Sequence, residues 1–337
     1  MEKKLLSFGL LLLFSISFSF AQKVALHSST GAQHFLGING LINAYNSSNH
    51  GDTIYIPGGT FNSPSTINKR LIIFGAGHYL DSSLVGGKTI INGNLTLSDS
   101  ADNTYLEGFE VNGDINFTAN QSINYVNIIR CKFNGLSITG NINPSNNLSF
   151  IGCVFNGINL ENAQNVLVSN NIIISSINNT NSNLICNNII FQAGIYVGYY
   201  TYTAINGNNN VIKNNIFRIP NVVNGQGNTL ISNLSNAVDP NFGANAQAYN
   251  NMLNIADSLV FVNQTGNTFN YSHNYHLKSP NQYLGDDNTQ VGIYGGSFPY
   301  KEGAVPLNPH IRRKIIANQT NNNGELQIEV EASAQSN

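Results

Sequence analysis

The sequence predicts an all-β protein that folds as a right-handed parallel β-helix, a solenoid of short stacked strands. Three observations predict this fold. A pattern of apolar residues around one fixed position recurs along the chain, about one residue in six is asparagine, and 41% of residues are hydrophobic while only 9% are charged. Disordered chains lack this much apolar surface, and asparagine, glycine and β-branched residues disfavour helical repeats.

Residues 1–21 have the pattern of a secretory signal peptide. Lys3 and Lys4 precede an apolar run, and small residues end it at Ala21. The run is too short for a membrane span, which needs about 20 apolar residues. We therefore expect a mature chain that begins near Gln22, has no membrane span after cleavage, and is secreted to the periplasm, the cell surface or the medium.

Residues 22–50 are expected to cap the first coil. Apolar residues between Gln33 and Tyr45 predict a short amphipathic helix that plugs the open end of the solenoid. The segment 51–61, GDTIYIPGGTF, then predicts a strand and a turn.

The repeated pattern is an apolar residue, two spacers, a ladder residue, one spacer and another apolar residue. The ladder positions step by 17 to 27 residues, which suits one coil of a three-sided β-helix. They are Phe109, Cys131, Cys153, Asn171, Asn188, Asn215 and Asn233. An inward asparagine at a corner is expected to bond successive turns through its amide and to satisfy buried backbone groups.

The cysteines enter the same pattern. Cys131 and Cys153 hold ladder positions in successive coils, so they should stack inside the core as a thiol pair or a disulfide. Cys186 falls two residues before its ladder position and is expected to be unpaired.

Three early segments resemble the pectate-lyase-like right-handed β-helix superfamily. They are GDTIYIPGGTF at 51–61, KRLIIFGAGH at 69–78 and TYLEGFEVNG at 104–113. The closing segment from Asp257 to Tyr300 is similar to the last coil and tail of secreted β-helix proteins of Bacteroidota-type bacteria. The resemblance implies a β-helix over 51–311 with a terminal coil.

Residues 312–337 are expected to form a C-terminal β tail. Two strands, Lys314 to Ala317 and Glu325 to Ala332, are joined by an asparagine-rich turn.

Charge and composition limit the partners. The net charge is −2, and the run Arg312-Arg313-Lys314 is the largest cluster of basic residues. Nucleic-acid binding needs a broad basic surface, so we expect no nucleic-acid partner. A monomer is expected.

The same resemblance raises the question of catalysis, because members that cleave pectin use calcium and an Arg or Lys base on one outer face. Glu107, Glu110 and Asp114 form the only acidic cluster on the rungs, with Arg130 and Lys132 nearby. Calcium wants six to eight oxygens, and the aspartates of a polygalacturonase are missing. We expect no catalytic residue, no metal and no cofactor. His273 and His276 lack a third ligand at metal-site spacing.

The widest ladder spacing, from Asn188 to Asn215, contains a tyrosine-rich insertion. Tyrosines on a loop can stack on sugar rings and hydrogen-bond hydroxyls. The predicted ligand-binding residues are Tyr196, Tyr199, Tyr200 and Tyr202. The leading hypothesis is an exported, non-catalytic β-helix with a structural or glycan-binding role and an extracellular polysaccharide as partner.

The alternative is a lyase or glycoside hydrolase acting on an acidic polysaccharide. It would use the face that carries Glu107, Glu110, Arg130 and Lys132. A carboxylate pair and a base converging in a groove would favour this alternative.

Overall fold

The computed structural model describes residues 23–80, 86–191, 203–307 and 310–333. Of these described residues, 44% lie in strands and 5% in helices, and parallel strands stack into a β-solenoid of about nine turns. The predicted fold class is confirmed. The expected signal peptide lies outside the described residues.

The strands, numbered in chain order, form two long sheets. The first sheet has 12 strands: β1 (Lys23–Ser28), β2 (Gly31–Leu36), β3 (Thr53–Tyr55), β6 (Ile72–Phe74), β9 (Tyr105–Glu107), β12 (Asn127–Ile129), β14 (Ser145–Ile151), β16 (Ala163–Ser169), β19 (Leu184–Cys186), β22 (Val211–Lys213), β25 (Thr229–Ile231) and β27 (Gln247–Tyr249).

The second sheet has 15 strands and forms two rows that merge at β13 and β15. One row is β4 (Gly59–Asn62), β7 (Thr89–Asn92), β10 (Glu110–Asn112), β13 (Lys132–Ile138), β15 (Val154–Asn159), β17 (Ile172–Ile173), β20 (Ile189–Phe191), β23 (Ile216–Arg218) and β26 (Leu234–Ser235). The other row adds β5 (Thr66–Ile67), β8 (Leu95–Leu97), β11 (Ile115–Phe117), β18 (Ile177–Asn181), β21 (Ile205–Asn208) and β24 (Val223–Asn224).

The register of the first sheet matches the predicted repeat. Leu106 pairs with Ile128, Ile128 with Phe150 and Phe150 with Val168, and the column continues in the same way to Leu230. These side chains are buried. Alternation within each strand therefore sends the predicted apolar residues inward and their neighbours outward.

The predicted asparagine ladder lies at the corner between the two sheets. The Asn171 amide donates to Oδ1 of Asn188 at 3.0 Å, Asn188 to Asn215 at 2.9 Å, Asn215 to Asn233 at 3.0 Å, and Asn233 to Asn251 at 2.9 Å. Each of these Oδ1 atoms also accepts the backbone N–H of the preceding member. The ladder extends one rung further than predicted.

The two stacked cysteines continue this column. The backbone N–H of Cys131 donates to Sγ of Cys153 at 3.4 Å, and the N–H of Cys153 donates to Oδ1 of Asn171 at 2.8 Å. Both thiols are free and buried. Burial raises the pKa of Cys153 to about 12 and raises that of Cys131 as well. The thiol-pair interpretation is confirmed. The free Cys186 thiol donates to Ser169 Oγ at 3.4 Å.

A second buried ladder, which the repeat did not predict, lies at the corner that leads into the first sheet. The backbone N–H of Val166 donates to Asn183 Oδ1, that of Asn183 to Asn210, and that of Asn210 to Asn228, at 2.8 to 3.0 Å. Asparagine side chains therefore accept buried backbone N–H groups along two corners of the solenoid.

The N-terminal cap differs from the predicted helix. The segment from Gln33 to Leu36 belongs to β2, which pairs antiparallel with β1, and the helix α1 covers only Gly40–Ser47. Leu41 and Ala44 of α1 are buried in the core. The residues from Gln33 to Leu36 thus belong to a strand. The helix begins only after Gly37, which has a φ of 78°.

After β27 the remaining strands lie outside the two long sheets. This part of the chain contains α2 (Asp257–Val260), the hairpin of β28 (Phe261–Asn263) with β29 (Asn274–Leu277), and a 3₁₀ turn at Glu302–Ala304. We call residues 257–307 the return segment, because they run back along the outside of the second sheet. Lys213 Nζ lies 2.9 Å from the Asp286 carboxylate, and the Asn170 amide donates to the carbonyls of Ile293 and Gly295.

The return segment covers an outward apolar column of the second sheet. The column stacks in register as Val154, Ile172, Ile189, Ile216 and Leu234. Its members form a second buried cluster with residues of the return segment, which are Val260, Phe261, Tyr275, Leu277, Tyr283, Val291, Ile293 and Tyr300. Strands that are buried on both faces have nearly continuous apolar sequences, as "NNIII" and "NNIIF" do here.

The C-terminal tail is an antiparallel hairpin of β30 (His310–Ile316) and β31 (Ile328–Ser333). Both predicted tail strands are present, but they begin at different residues from those expected. Ile315, Ile316, Ile328 and Val330 are each more than 40% exposed.

The inner asparagine ladder generates a stability prediction. Asn188→Leu removes the acceptor of the Asn171 N–H and the donor to Asn215, leaving buried polar groups unpaired. We expect a loss of about 3–5 kcal/mol in the free energy of unfolding, measured as a lower guanidinium midpoint. Asn112→Leu, at an exposed outer position of β10, is the matched control and should change stability by no more than about 0.5 kcal/mol. Equal effects of the two changes would contradict the ladder's role.

Candidate functional site

The predicted tyrosine site cannot be located. Tyr196, Tyr199, Tyr200 and Tyr202 lie outside the described residues. Phe191 is the last described residue before them, and it packs beside Tyr275 of the return segment. The ligand-binding role of these tyrosines stays a prediction.

The first half of the charged face is a buried ion pair. The Glu107 side chain is only 1% exposed, and Nε and Nη2 of Arg130 both donate to its Oε1 atom. The Tyr105 hydroxyl donates to Oε2 at 2.9 Å. Both carboxylate oxygens of Glu107 are therefore occupied, and the pair lies beside Gly108, where an added Cβ would meet Pro306 of the return segment.

The second half is a carboxylate held by two lysines. Lys88 Nζ lies 2.5 Å from Oε2 of Glu110, and Lys132 Nζ lies 2.6 Å from Oε1. Burial opposes ionisation of Glu110, but hydrogen bonds and charge from Lys132 and Lys88 outweigh it and lower its pKa. Both ammonium groups lie about 6 Å from the ring centre of Tyr271, a residue of the return segment.

A buried histidine completes this cluster. The His78 side chain is inaccessible to solvent, and burial lowers its pKa to about 3. Its Nδ1 lies 3.4 Å from the Tyr271 hydroxyl, which donates to the His78 carbonyl at 3.0 Å. Nε2 has no hydrogen-bond partner among the residues that the structure describes. The imidazole is thus neutral at physiological pH.

The charged face does converge, but its geometry does not fit acid–base catalysis. A general acid needs a carboxyl pKa raised towards neutrality, whereas the pKa of Glu110 is lowered and Glu107 is enclosed by Arg130 and Tyr105. These ion pairs link neighbouring rungs of the solenoid, beside Tyr271 and Pro306 of the return segment. Asp114 accepts the backbone N–H of Gly135 and does not join them.

Metal binding has no support among the described residues. No group of three or more His, Cys, Asp or Glu side chains is close enough there to hold an ion. His276 stacks on Tyr294 at 3.8 Å between ring centres, while His273 lies 3.3 Å from the Tyr275 hydroxyl. The two histidines therefore have separate partners in the return segment.

A row of aromatic rings, partly or fully exposed, crosses the outer face of the first sheet at its N-terminal end. We call it the aromatic strip, and it comprises His27, Tyr55, Phe74, Tyr105 and Tyr125. Ring centres are 5.0 Å apart for His27 and Tyr55, 5.5 Å for Tyr55 and Phe74, and 5.7 Å for Phe74 and Tyr105. Alternation places these rings outward because Ile54, Ile73 and Leu106 point inward.

Tyr125 is unusual in its backbone conformation. It lies two residues before strand β12, at a corner position where every rung from β9 to β27 has a left-handed residue. The other occupants are Asn103, Asn147, Asn165, Ser182, Asn209, Gly227 and Asn245. A left-handed φ of 59° is costly for a bulky side chain. The tyrosine is nevertheless 55% exposed, so burial does not account for a bulky side chain at this corner.

The strip borders an open groove of about 430 Å³. Phe74, Tyr105 and Tyr125 supply its aromatic walls, and Asn103 and Asn127 supply amide groups. Burial and the adjacent Glu107 carboxylate raise the pKa of Tyr105, so its hydroxyl stays protonated. The groove offers ring faces beside neutral hydrogen-bonding groups, and no lining side chain carries a charge.

Sequence reasoning missed this groove, although the signal was present. Tyr55 and Tyr105 lie within two of the early segments, at outward positions of the alternating pattern. Aligning the rungs by their inward residues brings the aromatic residues onto one face. The insertion with four tyrosines was simply a stronger signal in the linear sequence.

No family model matches the chain, and comparisons with curated proteins and with solved structures find no match. In the part of the chain that the structure describes, no helix combines the length and apolar character needed to cross a bilayer. Function therefore has to follow from the side chains themselves.

The burial of His78 predicts a pH-dependent stability. Its folded pKa of about 3 lies below the ordinary value of 6.5, so the unfolded chain binds one more proton between these values. This stabilising contribution is present above pH 6.5 and is lost as the pH falls towards 3. The facing charges are Glu110, which favours protonation, and Lys132 and Lys88, which oppose it.

Between pH 7 and pH 4.5, we expect the free energy of unfolding of the native protein to fall by roughly 1–3 kcal/mol more than that of the His78→Phe variant. The measurement is the denaturation midpoint of both proteins across that range. His34→Phe, at an exposed position of β2, should follow the native curve. Parallel curves for the native protein and His78→Phe would show that the imidazole does not titrate this way.

Proposed function

We propose that this chain is an exported, non-catalytic β-helix protein that binds glycans along its outer surface, at the cell surface or in the extracellular matrix. The observation that carries the proposal is the aromatic strip beside the open groove, with Tyr125 exposed in a left-handed conformation. The signal-peptide pattern of residues 1–21 and the resemblance to the pectate-lyase-like right-handed β-helix superfamily support export and a polysaccharide ligand.

The chemistry of the groove suits a sugar. The C–H face of a pyranose is apolar and packs on aromatic rings such as Phe74 and Tyr105, while its edge of hydroxyls needs hydrogen-bonding partners. Asn103 and Asn127 offer amides at the groove wall. Successive rungs repeat about every 4.8 Å, so the strip offers several sites along one extended chain.

The alternative of a lyase or hydrolase has less support. It required free carboxylates and a base on the face with Glu107, Glu110, Arg130 and Lys132, and these side chains neutralise one another beneath or beside the return segment. An assay for reaction products would detect catalysis elsewhere on the chain.

The test is binding of the purified mature chain to immobilised polysaccharides, with and without calcium, while the same wells are assayed for unsaturated and reducing-end products. We expect binding without products and without a calcium requirement. Product formation would contradict the non-catalytic proposal. An absence of binding in every well would contradict the glycan-binding proposal.

Substitutions should localise the binding to the strip. Tyr55→Thr with Tyr125→Asn removes two rings and restores asparagine at the corner, as in neighbouring rungs. We expect the affinity for the polysaccharide to fall by about tenfold or more. Tyr249→Ala, an equally exposed tyrosine at the far end of the same sheet, is the matched control and should bind normally.

A second pair of substitutions tests the insertion. If Tyr199→Ala with Tyr200→Ala abolishes binding while the strip variant binds normally, the site lies in the insertion and not on the aromatic strip. Melting curves of all variants show whether each has folded.

A further inference from the structure

A second groove runs along the row of the second sheet that contains β18, β21 and β24. It has a volume of about 370 Å³. We call it the amide groove, and its lining residues are Glu161, Asn179, Thr180, Asn181, Asn206, Gly207, Asn208 and Asn224. Asparagine dominates this lining, and Glu161 is its only charged member.

Gly207 forms the floor of the amide groove, and a column of stacked glycines continues from it. Thr180 pairs in register with Gly207, and Gly225 and Gly243 follow in the next rungs. A Cβ at Gly207 would lie 1.9 Å from the Thr180 carbonyl oxygen, and one at Gly225 would lie 2.0 Å from the Gly207 carbonyl oxygen. The rungs approach too closely for a side chain, so the floor is bare backbone.

Amide side chains form the walls on both sides of this floor. On one side the Asn206 amide donates to Asn178 Oδ1 at 2.7 Å, and Asn224 donates to Asn206 Oδ1 at 3.3 Å. On the other side Asn208 Oδ1 accepts the backbone N–H of Gln226 at 2.9 Å. The hydrogen bonds run along the solenoid axis and hold the amides in a row at the spacing of the rungs.

The row keeps hydrogen-bonding capacity for a ligand. A primary amide has two donor hydrogens and two acceptor positions. Within the row Asn206 uses one donor to Asn178 and one acceptor from Asn224, which leaves one donor and one acceptor position without a partner among the described residues. Each rung thus repeats a neutral donor and acceptor about every 4.8 Å.

The chemistry of the amide groove favours one class of ligand. Protein interfaces are centred on aromatic and aliphatic side chains, and the lining of this groove has none. Anionic polymers need basic residues, which are also missing from the lining. An uncharged polymer with hydroxyls at regular intervals matches both the charge and the repeat.

We infer that the amide groove binds a neutral polysaccharide in an extended conformation, lying along the solenoid axis with its hydroxyls bonded to Asn206, Asn208 and Asn224. The inference rests on the proposed glycan-binding function and adds the chemical class of the glycan and a second surface that holds it. Together with the aromatic strip, the groove lets one rod contact two polysaccharide chains.

Native affinity electrophoresis of the full mature chain tests this inference. The gels contain hydroxyethylcellulose or glucomannan as neutral probes, or polygalacturonate as the acidic probe. We expect retardation by a neutral probe that persists at high salt, because salt screens charge and not neutral hydrogen bonds. Retardation by polygalacturonate alone, or by no probe, would overturn the inference.

The variant for the groove is Asn206→Ala with Asn224→Ala, and Asn224→Leu alone is a second variant that fills the groove instead of emptying it. Both should weaken retardation about tenfold, which corresponds to the loss of a few neutral hydrogen bonds. Asn92→Ala with Asn112→Ala is the matched control, since this amide pair lies on an outer column of β7 and β10 away from the groove.

The strip variant, Tyr55→Thr with Tyr125→Asn, separates this inference from the proposed function. If it loses binding while both groove variants bind as the native protein does, the amide groove is overturned and glycan binding at the aromatic strip stands. Weaker binding of folded groove variants, with the control unchanged, supports the groove.

Discussion

The inner asparagine ladder is the constraint on which the rest of the molecule depends. A solenoid turns sharply at each corner, and the turn leaves backbone N–H groups inside the core without strand partners. Asn171, Asn188 and Asn215 supply the missing acceptors and bond to one another from rung to rung. Because unpaired buried groups are costly, the corner fixes the register of both sheets, and the register fixes which residues face outward.

That register also explains where the return segment packs. It places an isoleucine column from Ile172 to Ile216 on the outside of the second sheet, where water would otherwise meet a large apolar surface. The return segment covers this column, and its residues Pro306 and Tyr271 lie next to the ion pairs of Glu107 and Glu110. The acidic and basic residues that suggested a catalytic site in the sequence therefore have a structural role.

The solenoid and its ladder could be predicted from sequence because both come from a short-range repeat. Period-two alternation and an inward asparagine follow from local geometry, and Asn188 lies where the pattern put it. The path of the return segment could not be predicted, because it depends on contacts between residues as distant as Asn170 and Ile293. The aromatic strip was missed for a related reason, since Tyr55 and Tyr105 both contact Phe74 only after the coils are stacked.

The three sides of the rod consequently have different chemistry. The return segment closes one side. The first sheet leaves rings such as Phe74 at the wall of an open groove, and the second row of the other sheet leaves the amides of Asn206 and Asn224 at the wall of another. The linings of both grooves are nearly uncharged and span successive rungs, so each groove presents similar groups along a line. A compact substrate gains nothing from such repetition, whereas an extended polymer contacts every rung, so the repeat that builds the core also favours polymeric ligands.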